Sequence, residues 1–209
     1  MRLWRPVGMA ELCLIVDSGM AAFPPRLPEQ PIFYPVLNRS YAEQITREWN
    51  ATSDPFVGYV TEFDIAESCA EKYPKRIVGS GEHEELWVPA EELADFNEHI
   101  VGPIRVVSAF FGPEFRGHIP TEFALRGMDA RQQIEALVGV HSYAPMDVYL
   151  ETSANRLSVF LNFAFWSAFG PEHFGIDQDG FSATLDKIRQ YWQDDGREPP
   201  LIENGARAV

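Results

Sequence analysis

The feature that most constrains this chain is a change of texture at Gly112. Before it, short β-type runs alternate with short helical runs; beyond it, apolar residues recur at helical spacing. Gly112-Pro113 and Gly117-His118-Ile119-Pro120 read as the linker between the two regimes. The pattern predicts an α+β protein: a mixed, mostly antiparallel N-terminal sheet with short helices over residues 1–112, and a mainly helical C-terminal region over residues 113–209 packed on it. The connections in the first half are too irregular for repeated βαβ crossovers.

Within the first half, Arg2–Val7 is a brief strand, followed by Leu12, Ile15 and Val16 at helical spacing up to Gly19, suited to a helix C-terminal cap. Phe23–Pro31 holds four prolines in nine residues and must be irregular. Ile32–Val36 is a strand, and Ser40-Tyr-Ala-Glu43 has the capping-box pattern at the start of a helix with Tyr41, Ile45 and Trp49 on one face. Val57–Ile65 alternates as a strand, as do Leu86–Val88 and Ile104–Phe110; between the last two, Pro89 opens a short helix carrying Leu93 and Phe96 inward.

In the second half, Asp129 to Gln132 caps a helix with Ile134, Leu137 and Val138 inside, and Ser182 caps another with Leu185, Ile188 and Trp192 inside. The apolar stretch between them reads as two helices with a break near Asn155; Phe160, Leu161, Phe163, Phe165 and Trp166 are expected to be buried, partly against the sheet. Pro199–Val209 reads as a loose tail.

Composition narrows the function classes. With 31 Asp+Glu against 17 Lys+Arg, the net charge of −14 repels phosphates and argues against nucleic acid and anionic membrane surfaces as partners. MRLWRPVG lacks a signal-peptide core, and no run approaches the ~20 apolar residues of a membrane span. The two cysteines, Cys13 and Cys69, lack metal-type spacing; no metal is expected, Cys13 reads as a core thiol, and a reducing cytoplasm is the default location. His118, His141 and His173 read as loop residues without a shared metal, and the stripe Asp147, Glu151, Asn155 as a solvated helix face. Dinucleotide-fold, P-loop, zinc-protease and serine-hydrolase motifs are all missing.

What remains is an ordered set: Arg5 on the first strand, the pair Phe33-Tyr34 on the second, and a glutamate-rich run, SGEHEEL, entering the strand at Leu86. Alone, such a run is a solvated strand edge whose charges discourage aggregation, and Arg26 in the proline-rich loop either contacts a phosphate or pairs with Glu29. The texts LWRPVG, IFYPVLNRSYAEQI and HEELWVP resemble, in order and context, the ADP-ribosyltransferase fold. The phrases RPVG, FPPRLPEQPIFYPVLN and ELWVPAEEL are also similar to those of small bacterial proteins described as ADP-ribosylation related. The resemblance covers about residues 1–112.

It implies an NAD-dependent mono-ADP-ribosyltransferase or a related NAD-cleaving protein, with NAD as substrate and an unknown acceptor. Arg5 would hold the dinucleotide, with Arg26 as a further contact; Tyr34, or Phe33, would stack on nicotinamide; Glu85 would be the catalytic carboxylate and His83 would orient the acceptor. A fixed carboxylate suits that chemistry, since breaking the nicotinamide–ribose bond develops positive charge on the sugar. Strand alternation puts His83 and Glu85 on one face and Glu84 on the other, with Glu82 and Glu84 in solvent. Two departures support an alternative, a non-catalytic binding or interaction module. Pro6 follows Arg5 where many members have a glycine whose N–H is free, and the Ser-Thr-Ser motif of arginine-modifying toxins is missing.

Overall fold

The computed structural model describes residues 1–79, 83–194, 196 and 199–208. Its centre is a sheet of four strands, β1 (Arg2–Gly8), β3 (Val57–Ile65), β7 (Ile100–Phe111) and β8 (Gly205–Arg207), in that order. β1 and β7 flank β3 antiparallel, and β8 joins β7 parallel. β3 is central because both of its faces can be covered. Val57, Tyr59, Phe63 and Ile65 enter the main core, whereas Val60 faces a smaller cluster of Val36, Tyr41, Ala42, Ala51 and Phe110.

α1 (Met9–Asp17) lies on the main-core side and α2 (Arg39–Glu48) on the other. Gly58 lets α2 come close: a Cβ there would stand 2.5 Å from Thr46 Cγ2 and from Asn50 Cβ. The cap of α2 is Asn38, whose side chain accepts from Ser40 N, so the box expected at Ser40 starts two residues late. The helix ends before Trp49, which is 59% exposed rather than on the apolar face.

A second strip extends the sheet beyond β1. β2 (Ile32–Phe33) pairs with β6 (Val88–Pro89), while Val36 bridges Trp4 on one side and Glu85 on the other. Glu85 belongs to β5 (Glu84–Leu86), which pairs with β4 (Lys75–Ile77). The short helices α3 (Glu67–Ala70) and α4 (Leu93–Glu98) close this end, with Leu93 and Phe96 buried as expected.

The C-terminal half contributes α5 (Ala130–Tyr143), α6 (Asp147–Ala154), α7 (Arg156–Phe174) and α8 (Gln178–Asp194). Asp129 and Gln132 form the expected reciprocal capping box. α8 starts earlier than Ser182 suggests: Asp177 accepts from Gly180 N, and Ser182 sits inside the helix. α7 is the central element, and Phe160, Leu161, Phe163, Phe165 and Trp166 are all buried. Tyr59 Oη donates to Leu161 O at 3.3 Å and the Phe111 and Phe165 rings meet at 5.3 Å, so one core runs through both halves. Gly170 (φ 70°) and Pro171 break α7 near its end.

The tail is anchored, contrary to the expectation of a loose end. Ile202 is buried, Trp192 Nε1 donates to Pro199 O, and β8 completes the open edge of β7. Gly205 makes the fit possible, because a Cβ there would stand 2.4 Å from Ala164 O on α7. Among the described residues no helix is long and apolar enough to cross a membrane.

Candidate functional site

Strand β1 alternates Leu3, Arg5 and Val7 into the main core, so an arginine enters an apolar layer. Arg5 is 6% exposed, and each of its three guanidinium nitrogens donates once. Its Nε donates to Glu11 Oε1 at 2.9 Å, its Nη2 to Glu11 Oε2 at 3.4 Å and its Nη1 to Tyr34 O at 3.2 Å, while the guanidinium lies 4.5 Å from the Phe33 ring centre. Glu11 is placed by the first turn of α1, where the helix dipole favours a carboxylate. Arg26 reaches the same carboxylate, Nη1 to Oε1 at 3.7 Å, and therefore pairs with Glu11 rather than Glu29. Its Nε is buried without a hydrogen-bond partner, and burial followed by the neighbouring Arg5 pushes its pKa down. Two guanidiniums thus share one carboxylate.

Glu85 heads a separate group. Tyr41 Oη donates to its Oε1 and Trp87 Nε1 to its Oε2, each at 3.1 Å. His83 stacks on Tyr41 with centroids 4.1 Å apart, so His83 and Glu85 do share a face, and Nδ1 of His83 lies 3.2 Å from Val78 O. The Tyr34 ring meets Trp87 edge-on at 5.4 Å, and Arg76 lies over the other side chain of that pair at 5.7 Å from the Trp87 ring centre. Burial and then Glu85 push the Tyr41 phenol up to about 12. Glu84 is half-buried, and Glu82 lies outside the described residues.

The bridges fix how the two groups relate. Paired residues of adjacent antiparallel strands project to the same side, so Trp4, Val36 and Glu85 share one face, that of Tyr41 and α2. Arg5 follows Trp4 and projects to the other face, with Phe33 and Leu86. The structure therefore brings Arg5, Arg26, Phe33 and the Tyr34 carbonyl together, and separately His83 and Glu85. Tyr34 touches both, its carbonyl taking Arg5 and its ring meeting Trp87. Each nitrogen of the Arg5 guanidinium donates once within the chain, and Glu85 projects to the opposite face of the sheet. The residues that sequence reasoning missed are Glu11, Tyr41 and Trp87. A carboxylate at a helix start six residues after a strand arginine is a readable signal for Glu11; helical spacing places Tyr41 on one face of α2, but its hydroxyl contact depends on how β5 docks.

Elsewhere, the fold carries Asp95 and His99 to Cys69, with one potential ligand atom from each within 4.8 Å of the others. Lys72 Nζ already stands 3.4 Å from Asp95 Oδ2, His99 Nδ1 lies 2.8 Å from Asp95 O, and burial pushes the Cys69 thiol up, away from the thiolate a metal needs. His118 is a loop residue whose Nδ1 lies 2.8 Å from Ser158 Oγ, whereas His141 and His173 belong to helices α5 and α7. Of the stripe expected on a solvated face, Asp147 is exposed and Glu151 half-buried, whereas Asn155 is buried at the α6–α7 junction and donates to Glu151 O and Oε2. No family model, no curated protein and no solved structure matches the chain.

Proposed function

We propose that the chain is a non-catalytic binding or interaction module, its first half resembling the ADP-ribosyltransferase fold without carrying the reaction. The observation that supports this most is the opposed placement of Arg5 and Glu85 across one sheet. A transferase needs the group that holds the dinucleotide and the carboxylate that stabilises the sugar cation in one cleft, within reach of the same substrate. Both oxygens of Glu85 also accept hydrogen bonds from the chain's own Tyr41 and Trp87. The lack of an N–H at Pro6 agrees with this reading.

An NAD-cleaving enzyme is the second reading, favoured by one observation: Arg5 and Arg26 share the single carboxylate of Glu11, which leaves a positive charge uncompensated beside Tyr34. Incubating the full chain and its Glu85→Gln variant with NAD, and following nicotinamide release, separates the two. The binding-module reading expects background release from both. Release by the wild type that is lost in Glu85→Gln would restore the enzyme reading.

A further inference from the structure

At the end of the sheet away from the Glu85 group, the last residue of β7, the following loop, the end of α7 and the tail enclose a cleft of about 400 Å³. That is within the roughly 300–1,000 Å³ of small-ligand sites. Its wall is aromatic: Phe111 meets Phe115 at 4.8 Å and Phe165 at 5.3 Å, and Phe165 meets Phe169 at 4.4 Å between ring centres. Gly170 and Pro171 break α7 directly after Phe169, and His173 then turns its ring against Phe169 at 4.8 Å.

The charge at this cleft is unlike that of the chain. Arg207 is carried to the mouth by the pairing of β8 with Phe111, and its guanidinium lies 4.6 Å from the Phe169 ring centre. Among the described residues no carboxylate forms an ion pair with it, although Asp and Glu outnumber Lys and Arg by 31 to 17. The groups facing His173 are Arg131 of α5, Arg207 of β8 and, across a small adjoining pocket, the Arg116–Asp129 pair. Burial, then Arg131 and Arg207, hold the His173 imidazole below its ordinary pKa, so it stays neutral at pH 7 and keeps one N–H to give.

We propose that this cleft binds a small monocarboxylate with an apolar body, its hydrocarbon or aromatic part among Phe111, Phe115, Phe165 and Phe169 and its carboxylate on Arg207. The planar guanidinium suits a carboxylate, and Arg207, exposed at the mouth, is open to one. Phe169 is half-buried and the other three rings, though buried, line the cleft, while Arg207, without an ion pair among the described residues, gives the ligand one charge to meet. None of these residues belongs to the Arg5 or Glu85 groups, so the proposal and the reading of the NAD question stand or fall separately.

Isothermal titration calorimetry of the full chain with 4-phenylbutyrate and octanoate, set against 4-phenylbutyramide and octanamide, tests it. The carboxylates bind one to one and at least tenfold tighter than the amides. Arg207→Gln loses tenfold or more, and Arg207→Lys loses less. Equal binding of acid and amide, binding unchanged by Arg207→Gln, or no heat from either acid overturns the proposal. Should the Arg207 variants fail to fold, NMR titration of the His173 imidazole in the wild type decides: saturating 4-phenylbutyrate raises its pKa, and an unmoved titration with ligand present overturns the site.

Discussion

The carboxylate of Glu11 stands 2.9 Å from Nε of Arg5, reached from the first turn of α1, which follows β1 directly. The side chain of Arg5 is 8% exposed and that of Glu11 21%, so water does little to screen the pair. Arg26 shares the same carboxylate, and no other acidic side chain among the described residues pairs with either arginine.

Glu11→Gln therefore leaves two enclosed guanidiniums with no counter-charge. Breaking a buried pair from one side costs about 3–5 kcal/mol. Urea denaturation of Glu11→Gln should show a loss of that order with the slope unchanged. A loss under about 1 kcal/mol, the range of exposed pairs, would mean that Arg5 finds water or another acceptor.

The Tyr41 phenol makes a prediction at alkaline pH. Burial and the Glu85 carboxylate raise it to about 12 from its ordinary value near 10, and burial raises Tyr59 and Tyr73 in the same direction. A raised folded-state pKa means that the folded protein holds the proton where the unfolded chain has lost it, so stability falls as pH climbs from 10 towards 12. Tyr41→Phe removes one of these groups and should flatten that fall, measured as Tm against pH between 9 and 11.5. It should also cost about 1–3 kcal/mol at neutral pH from the lost hydrogen bond to a charged group. A Tm profile that keeps its full slope in Tyr41→Phe would place the alkaline sensitivity elsewhere.

Local periodicity made most elements legible: the alternation of Val57–Ile65 gave β3, and the capping box at Asp129 gave the start of α5. The break at Asn155 and the burial of Phe160 through Trp166 were likewise written in the chain. What it did not give was the relation between faces. Alternation states which residues of one strand share a side, but whether Glu85 lies on the side of Arg5 or on the opposite one depends on Val36 standing between Trp4 and Glu85. One residue of register reverses that answer. The tail differs from expectation for a related reason: PLIENGARA has little pattern of its own, and β8 exists because β7 offers an unpaired edge.

Gly205 carries that docking. A Cβ placed there would meet Ala164 O at 2.4 Å, a backbone atom that cannot swing aside. Gly205→Val should lower stability by about 1–3 kcal/mol, as overpacking does. Ala206→Val, one residue along and exposed, should stay within about 0.5 kcal/mol. Thermal melts of the two variants check this, and equal melting points would show that β8 is dispensable.

The last prediction concerns residues 1–112 by themselves. Cutting after Gly112 removes α5 to α8 and β8, and with them the surfaces that cover Tyr59, Phe111 and their neighbours in the main core. Tyr59 Oη loses its acceptor, Leu161 O, and Phe111 loses the Phe165 and Phe169 rings. The open edge of β7 loses its partner strand at the same time, which leaves unpaired backbone groups beside an uncovered apolar face. Such a fragment should associate and bind a hydrophobic dye, whereas the full chain should bind little. Size-exclusion chromatography with light scattering reads the first outcome and dye fluorescence the second. A monodisperse fragment with a sharp unfolding transition would show that the N-terminal sheet closes its own core, and that the helices of the second half are a covering it can do without.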